Sequence, residues 1–178
     1  AERLSSPHEI LEKLGGKCAA EYKYDGERIQ AHKDGEKVLL FSRRLENITS
    51  QYPDAVELLR SHVKAKEAIL EGECVAIDPD TGDMLPFQEL MHRRRKYGIE
   101  KAMEEYPVSL FMFDALYVDG KDLTLEPYPV RRKYLNEIIE EGERIKIAEY
   151  LITDNPEELE KFFLEAVEKG CEGLVCKS

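Results

Sequence analysis

Lys23 lies in the stretch Glu21-Tyr22-Lys23-Tyr24-Asp25-Gly26-Glu27-Arg28. If this stretch opens as a strand, Glu21 and Lys23 share one face and Tyr22 and Tyr24 the other, because alternate side chains point to opposite sides. Asp25-Gly26 then bends the backbone and leaves the lysine at a strand end, on a rigid base beside a turn. An amine so placed can attack phosphorus, provided that it is the free base, a form favoured by burial and by neighbouring cations. Arg28 and Arg43 are candidates for the neighbouring charge, and a bound divalent metal would add more. The plainer reading of Lys-Tyr-Asp-Gly is a solvated lysine at a hairpin, and four residues alone do not separate the two.

Other phosphate-handling devices are absent. Gly15-Gly16-Lys17 is followed by Cys18 and lacks the upstream glycine of a phosphate-binding loop, and neither G-x-G-x-x-G nor H-E-x-x-H occurs. Cys18, Cys74, Cys171 and Cys176 form no C-x-x-C pair, and His8, His32, His62 and His92 show no ligand spacing with them, so no zinc site is expected. Cys18, Cys74 and Cys176 fall inside apolar runs, where a thiol packs as a small hydrophobe. Free thiols fit a reducing cytoplasm.

The stretch around Lys23 resembles motif I, E-x-K-x-D-G-x-R, of the covalent nucleotidyltransferases: DNA ligases, RNA ligases and mRNA capping enzymes. Four further segments resemble that superfamily's motifs in the same order. Phe41-Ser42-Arg43-Arg44 resembles the segment with a phosphate-contacting arginine, and Leu70-Glu71-Gly72-Glu73 resembles motif III. Phe111-Met112-Phe113-Asp114-Ala115-Leu116-Tyr117 resembles motif IIIa, and Glu172-Gly173-Leu174-Val175-Cys176-Lys177 resembles motif IV. Further stretches, Ser42 to Thr49 followed by Tyr52-Pro53-Asp54, and Pro86 to Arg95, are similar to the replicative ATP-dependent DNA ligases of archaea and eukaryotes.

The resemblance implies a chemistry and a role for each residue. Lys23 would take AMP from ATP, pass it to the 5′-phosphate of a nick in duplex DNA and leave the 3′-hydroxyl to seal the break. Glu21 would lie near the adenine and Phe113 would stack on it. Arg28 and Arg43 would reach the ribose or phosphates, and Lys177 the α-phosphate. Glu73 would contact the ribose or the metal, and Glu172 would help hold Mg²⁺. Without those motifs, Phe113 is an ordinary core aromatic and Glu73 an exposed strand residue. The resemblance further implies work in DNA replication, repair and recombination. The protein would be a monomer in the cytoplasm, or in the nucleus of a eukaryote, with a sliding clamp engaged through other regions.

The chain is expected to be one adenylation-domain fragment, residues 1–178, without motif V, the C-terminal OB-fold domain or the N-terminal DNA-binding domain of that family. Alone it is expected to self-adenylate poorly. An RNA ligase or GTP-using capping enzyme is the nearest alternative. A non-catalytic interaction domain, docking through the helix from Pro156 to Lys169, is the alternative of another class.

The elements that must position these residues can be outlined from pattern. Pro7 to Leu14 is a short helix capped by Ser6 and stopped by Gly15-Gly16. Lys17 to Tyr24 is a strand, and Arg28 to His32 and Val38 to Ser42 form a hairpin about Asp34-Gly35. Tyr52 to Lys64 is helical, Ala68 to Ile77 a strand, and Phe87 to Met91 and Ile99 to Glu105 short helices. Val108 to Val118 is a long strand, Val130 to Glu140 a helix, and Ile145 to Tyr150 a strand. The last helix is capped by Asn155 and stopped by Gly170, with Leu159, Phe162, Phe163, Ala166 and Val167 on one face. Gly173 to Lys177 closes as a strand. The mixture predicts an α+β fold of mainly antiparallel sheets flanked by helices, the ATP-grasp-like core of the covalent nucleotidyltransferases.

Bulk properties narrow the partners. The 178 residues carry 26 basic and 37 acidic side chains, a net charge of −11, which argues against gripping nucleic acid by bulk charge. Three local basic clusters, Arg43-Arg44, Arg93 to Lys96 and Arg131 to Lys133, are read as solvated faces. No apolar run reaches the roughly 20 residues of a membrane span, and no membrane partner is expected.

Overall fold

A computed structural model describes residues 2–95 and 98–178. The chain forms two compact units, one of Ala1–Asp25 with Ala148–Ser178 and one of Gly26–Ile147. Lys96, in the second basic cluster, lies outside the described residues.

The smaller unit is built on β1 (Cys18–Lys23), the centre of an antiparallel sheet with β8 (Tyr150–Thr153) and β9 (Gly173–Lys177) at its edges. Every β1 residue before Lys23 is buried, so both faces are covered up to the lysine. Helix α6 (Pro156–Glu168) packs against this sheet, with the Phe162 and Tyr22 rings 4.8 Å apart. Asn155 caps α6 as expected, its side chain accepting from the Glu157 N–H at 2.9 Å. Of the five residues expected on the packed face, Leu159, Phe162 and Ala166 are buried, but Phe163 and Val167 are exposed. The buried three follow an i, i+3, i+7 stripe, and the other two lie about 100° farther round the helix. Helix α1 (Pro7–Lys13) starts after Ser6, whose side chain makes no capping bond, contrary to the expected cap; Pro7 at its first turn needs no partner for its nitrogen.

The larger unit is a six-stranded sheet in the order β3-β2-β4-β5-β6, with β7 added in parallel beside β5. Its strands are β2 (Glu27–Asp34), β3 (Lys37–Ser42), β4 (Glu67–Ala76), β5 (Val108–Val118), β6 (Lys121–Asp122) and β7 (Ile145–Ile147). The β2–β3 turn is the predicted hairpin, with Gly35 at a φ of 60°. One sheet face carries Ile29, Ala31, Leu70, Leu110 and Met112 into a core shared with α2 (Pro53–His62) and α5 (Tyr128–Ile138). Alternation leaves Arg28, Glu71, Glu73 and Phe113 on the other face. Helices α3 (Phe87–Arg95) and α4 (Ile99–Glu105) complete the unit.

The single strand expected from Ile145 to Tyr150 is two. β7 pairs with β5 in the larger unit and β8 with β1 in the smaller, the chain changing unit at Ala148. Two basic clusters are also not the solvated faces expected. Arg93 and Arg132 are among the most buried side chains, and each is held by specific partners.

Candidate active site

Four of the predicted residues meet on the antiparallel pair β1–β9. Register sets Lys23 opposite Gly173, and the Glu172 N–H donates to the Lys23 carbonyl at 2.9 Å. The Lys23 amine then lies 3.2 Å from the Glu172 carboxylate, both side chains about half exposed at 50% and 45%. Two residues back on the same face, Glu21 is buried and accepts from the Lys177 amine at 3.1 Å. Tyr22 and Tyr24 turn to the opposite face, where burial raises the Tyr22 phenol and pushes that of Tyr24 well up. The neighbour seen at Lys23 within this unit is thus a carboxylate, Glu172, which holds the amine in place.

The larger unit gathers a second group. Gly26 precedes β2 because a Cβ there would lie 2.2 Å from the Cys74 carbonyl oxygen. Two residues on, Arg28 bonds Glu71 at 3.1 Å, and its guanidinium lies 5.4 Å from the centre of the Phe113 ring. Glu73 is opposite Arg28 in the β2–β4 ladder. Gly72, between the two glutamates, permits this close packing, since a Cβ there would meet the Met112 sulfur at 2.5 Å. Arg43 stands exposed in the turn after β3, closed by the Leu45 N–H donating to the Ser42 carbonyl at 2.8 Å. Leu45 holds a φ of 62° there, strained for a side chain with a Cβ.

Sequence reasoning missed the groups behind this face. Asp114 accepts from the Arg131 Nε at 2.8 Å, and the buried Arg132 reaches the Met112 and Phe113 carbonyls at 3.5 Å, bracing the strand that carries Phe113. Glu71 was legible in principle, being two residues from Glu73 and so on the same strand face.

Among the described residues, no three His, Cys, Asp or Glu side chains gather as a metal cage. Single exposed or half-buried carboxylates such as Glu172 and Glu73 fit a magnesium ion that arrives with phosphate oxygens, since Mg²⁺ uses one or two carboxylates and keeps water.

All 178 residues match the family model described as ATP dependent DNA ligase domain. The chain is 61% identical over its full length to a DNA ligase of Sulfophobococcus zilligii and to one of Staphylothermus marinus, covering 29% and 30% of them. It therefore spans about three tenths of the length of the curated relatives it matches. Among solved structures it is similar to mycobacterial DNA ligase D complexed with ATP and MES, at 26% identity and a TM-score of 0.66, over 92% of this chain and 49% of that one. The adenylate form of Chlorella virus DNA ligase shares the fold, at 21% identity and a TM-score of 0.56, over 90% of this chain and 53% of that one.

Proposed function

The chain belongs to the family of ATP dependent DNA ligase domains, and from that premise we propose that it is the nucleotidyltransferase region of an ATP-dependent DNA ligase, with Lys23 as the AMP acceptor. The observation that carries this reading is the amine of Lys23 at the exposed end of an otherwise buried strand, held 3.2 Å from Glu172. The activity is assigned to the full-length protein.

The Lys23–Glu172 pair must open before the amine can react. A half-exposed pair is worth about 0–1 kcal/mol, so an incoming polyphosphate competes with it readily. The deprotonated amine attacks the α-phosphorus of ATP. A P–N bond forms, the bond to the bridging oxygen breaks, and pyrophosphate leaves with the electron pair. Lys177 neutralises charge on the α-phosphate as it builds. Glu21 binds near the adenine and orients Lys177 through their 3.1 Å contact.

Phe113 offers a ring face to the adenine, while Arg28 and Arg43 offer guanidiniums to ribose or phosphate. Glu73 and Glu172 are the carboxylates we assign to magnesium, which supplies positive charge to the phosphates when bound. An oxygen of the nick's 5′-phosphate then displaces Lys23 from AMP, and the 3′-hydroxyl expels AMP as the phosphodiester forms. Nicked duplex DNA is the substrate in this reading, the protein acts as a monomer, and a sliding clamp is a partner of the full-length protein.

Labelled ATP and GTP offered to the full-length protein, followed by nicked DNA or nicked RNA, test the reading. Label is expected from ATP, with sealing of DNA. Label from GTP but not ATP, or sealing of RNA alone, would replace it by the capping or RNA-ligase alternative.

A further inference from the structure

Arg28 emerges one residue after Glu27, and Glu27 is held from behind. The Tyr52 hydroxyl donates to the Glu27 carboxylate at 2.5 Å. Tyr52 is fully buried, and the Arg93 guanidinium lies 5.0 Å from its ring centre. Arg93 is itself locked: it donates to both Asp54 oxygens, at 2.8 and 2.5 Å, to the Tyr106 carbonyl at 3.1 Å and to the Gln51 carbonyl at 3.2 Å. A buried, bidentate arginine of this kind is rigid, and the ring stacked on it shares that rigidity.

The alternation of β2 converts this anchoring into a position for Arg28. Glu27, Ile29 and Ala31 face the core, and Arg28 faces the other way. Gly26 lies against Cys74, and Glu27 pairs with Cys74 across the β2–β4 ladder. The first residues of β2 are therefore fixed by backbone on one side and by Tyr52 on the other. Loss of the Tyr52 bond removes the buried hold on Glu27 and loosens the first residues of β2, as strand ends fray.

We propose that Tyr52, seated on Arg93 and Asp54, is a positioning residue for nucleotide binding, acting through Glu27 on the aim of the Arg28 guanidinium. This rests on the reading of Arg28 as a nucleotide-binding residue. It also gives a role to Tyr52, Asp54 and Arg93, none of which has one in the sequence motifs.

The test is the ATP dependence of AMP transfer to the full-length protein, for Tyr52→Phe, Glu27→Leu, Glu27→Gln and Arg28→Ala, and for Tyr52→Phe combined with Arg28→Ala. Tyr52→Phe keeps the ring on Arg93 and removes only the hydroxyl. It is expected to raise KM for ATP about tenfold with kcat little changed, the size of one lost bond to a charged group. Glu27→Leu should do the same from the half-exposed end of that bond, which carries the test if Tyr52→Phe fails to fold. Glu27→Gln, which keeps an acceptor oxygen, should restore near-normal KM. In the Arg28→Ala background, Tyr52→Phe should add nothing, because coupled residues are not additive.

An unchanged KM in Tyr52→Phe overturns the proposal, as does an equal rise with and without Arg28. If Arg28→Ala alone leaves KM unchanged, the reading of Arg28 fails and takes this one with it. AMP on Lys23 would be untouched by that result, so the two failures are distinguishable.

Discussion

One ion pair at the reactive lysine and two behind the binding face are built in opposite ways. In the smaller unit, the pair at the reactive end, Lys23–Glu172, is about half exposed on both sides. In the larger one, the pairs behind the arginine and aromatic face are enclosed: the Arg93 side chain is 0% exposed beside Asp54 at 23%, and Arg131 and Asp114 are 20% and 10% exposed. Exposed pairs contribute little and open easily. Enclosed ones hold geometry, because removing one partner strands a charge in the interior. The chemistry we assign needs both kinds, a lysine that can let go of its partner and a binding face that does not move.

The sharpest way to break this contrast is to alter each unit and ask whether activity or stability responds. Lys23→Ala should abolish AMP transfer while shifting unfolding free energy by no more than about 0.5 kcal/mol, as for other exposed positions. Denaturant titration beside a nick-sealing assay reads both, and a strongly destabilised Lys23→Ala protein would show that the pair is structural.

Asp54→Ala should show its main effect on stability, in the larger unit. It leaves Arg93 buried and uncompensated, a loss of about 3–5 kcal/mol, seen as a lower denaturation midpoint. Midpoints within error of the parent protein would mean that the enclosed pair holds nothing.

Elements with strong periodicity and punctuation were legible in the sequence. The strand Val108–Val118 has the predicted bounds, and the last helix has the predicted cap and stop. The break between β7 and β8 was not legible, because a run of alternating apolar residues does not say which sheet each half joins. The fates of Arg93 and Arg132 were hidden for a similar reason. Arginine is almost always exposed, and what buries these two is a set of partners distant in the chain. The site shows the same division. Motif order named Lys23, Glu21, Glu172 and Lys177, but their pairing follows from the β1–β9 register, which no local pattern encodes.

Smaller effects test the smaller unit's own supports. Asn155→Ala removes the cap of α6 and should cost about 1 kcal/mol, with faster amide exchange at Glu157 and little change in the larger unit's strands. Equal loosening of both units would show that they unfold as one.

Alkali gives the gentlest comparison. Burial pushes the Cys171 thiol up to about 11 and the Cys176 thiol up to about 12, and raises Cys18 as well. The folded unit keeps these protons beyond the ordinary thiol value of 9.0, at which the unfolded chain releases them. The stability that this proton retention contributes is therefore complete below that value and is lost as pH rises through about 11 and 12. Alkylation followed by peptide mass spectrometry should find Cys171 and Cys176 labelled, as pH rises, before the completely buried Cys74 of the larger unit. Earlier labelling of Cys74 would show that the larger unit opens first.

The proposed chemistry depends on one nucleophile, Lys23. Full-length protein incubated with ATP and Mg²⁺, then digested and mapped by mass spectrometry, should carry a single AMP on the peptide containing Lys23. AMP mapped to any other residue, or full nick sealing by Lys23→Ala, would contradict it.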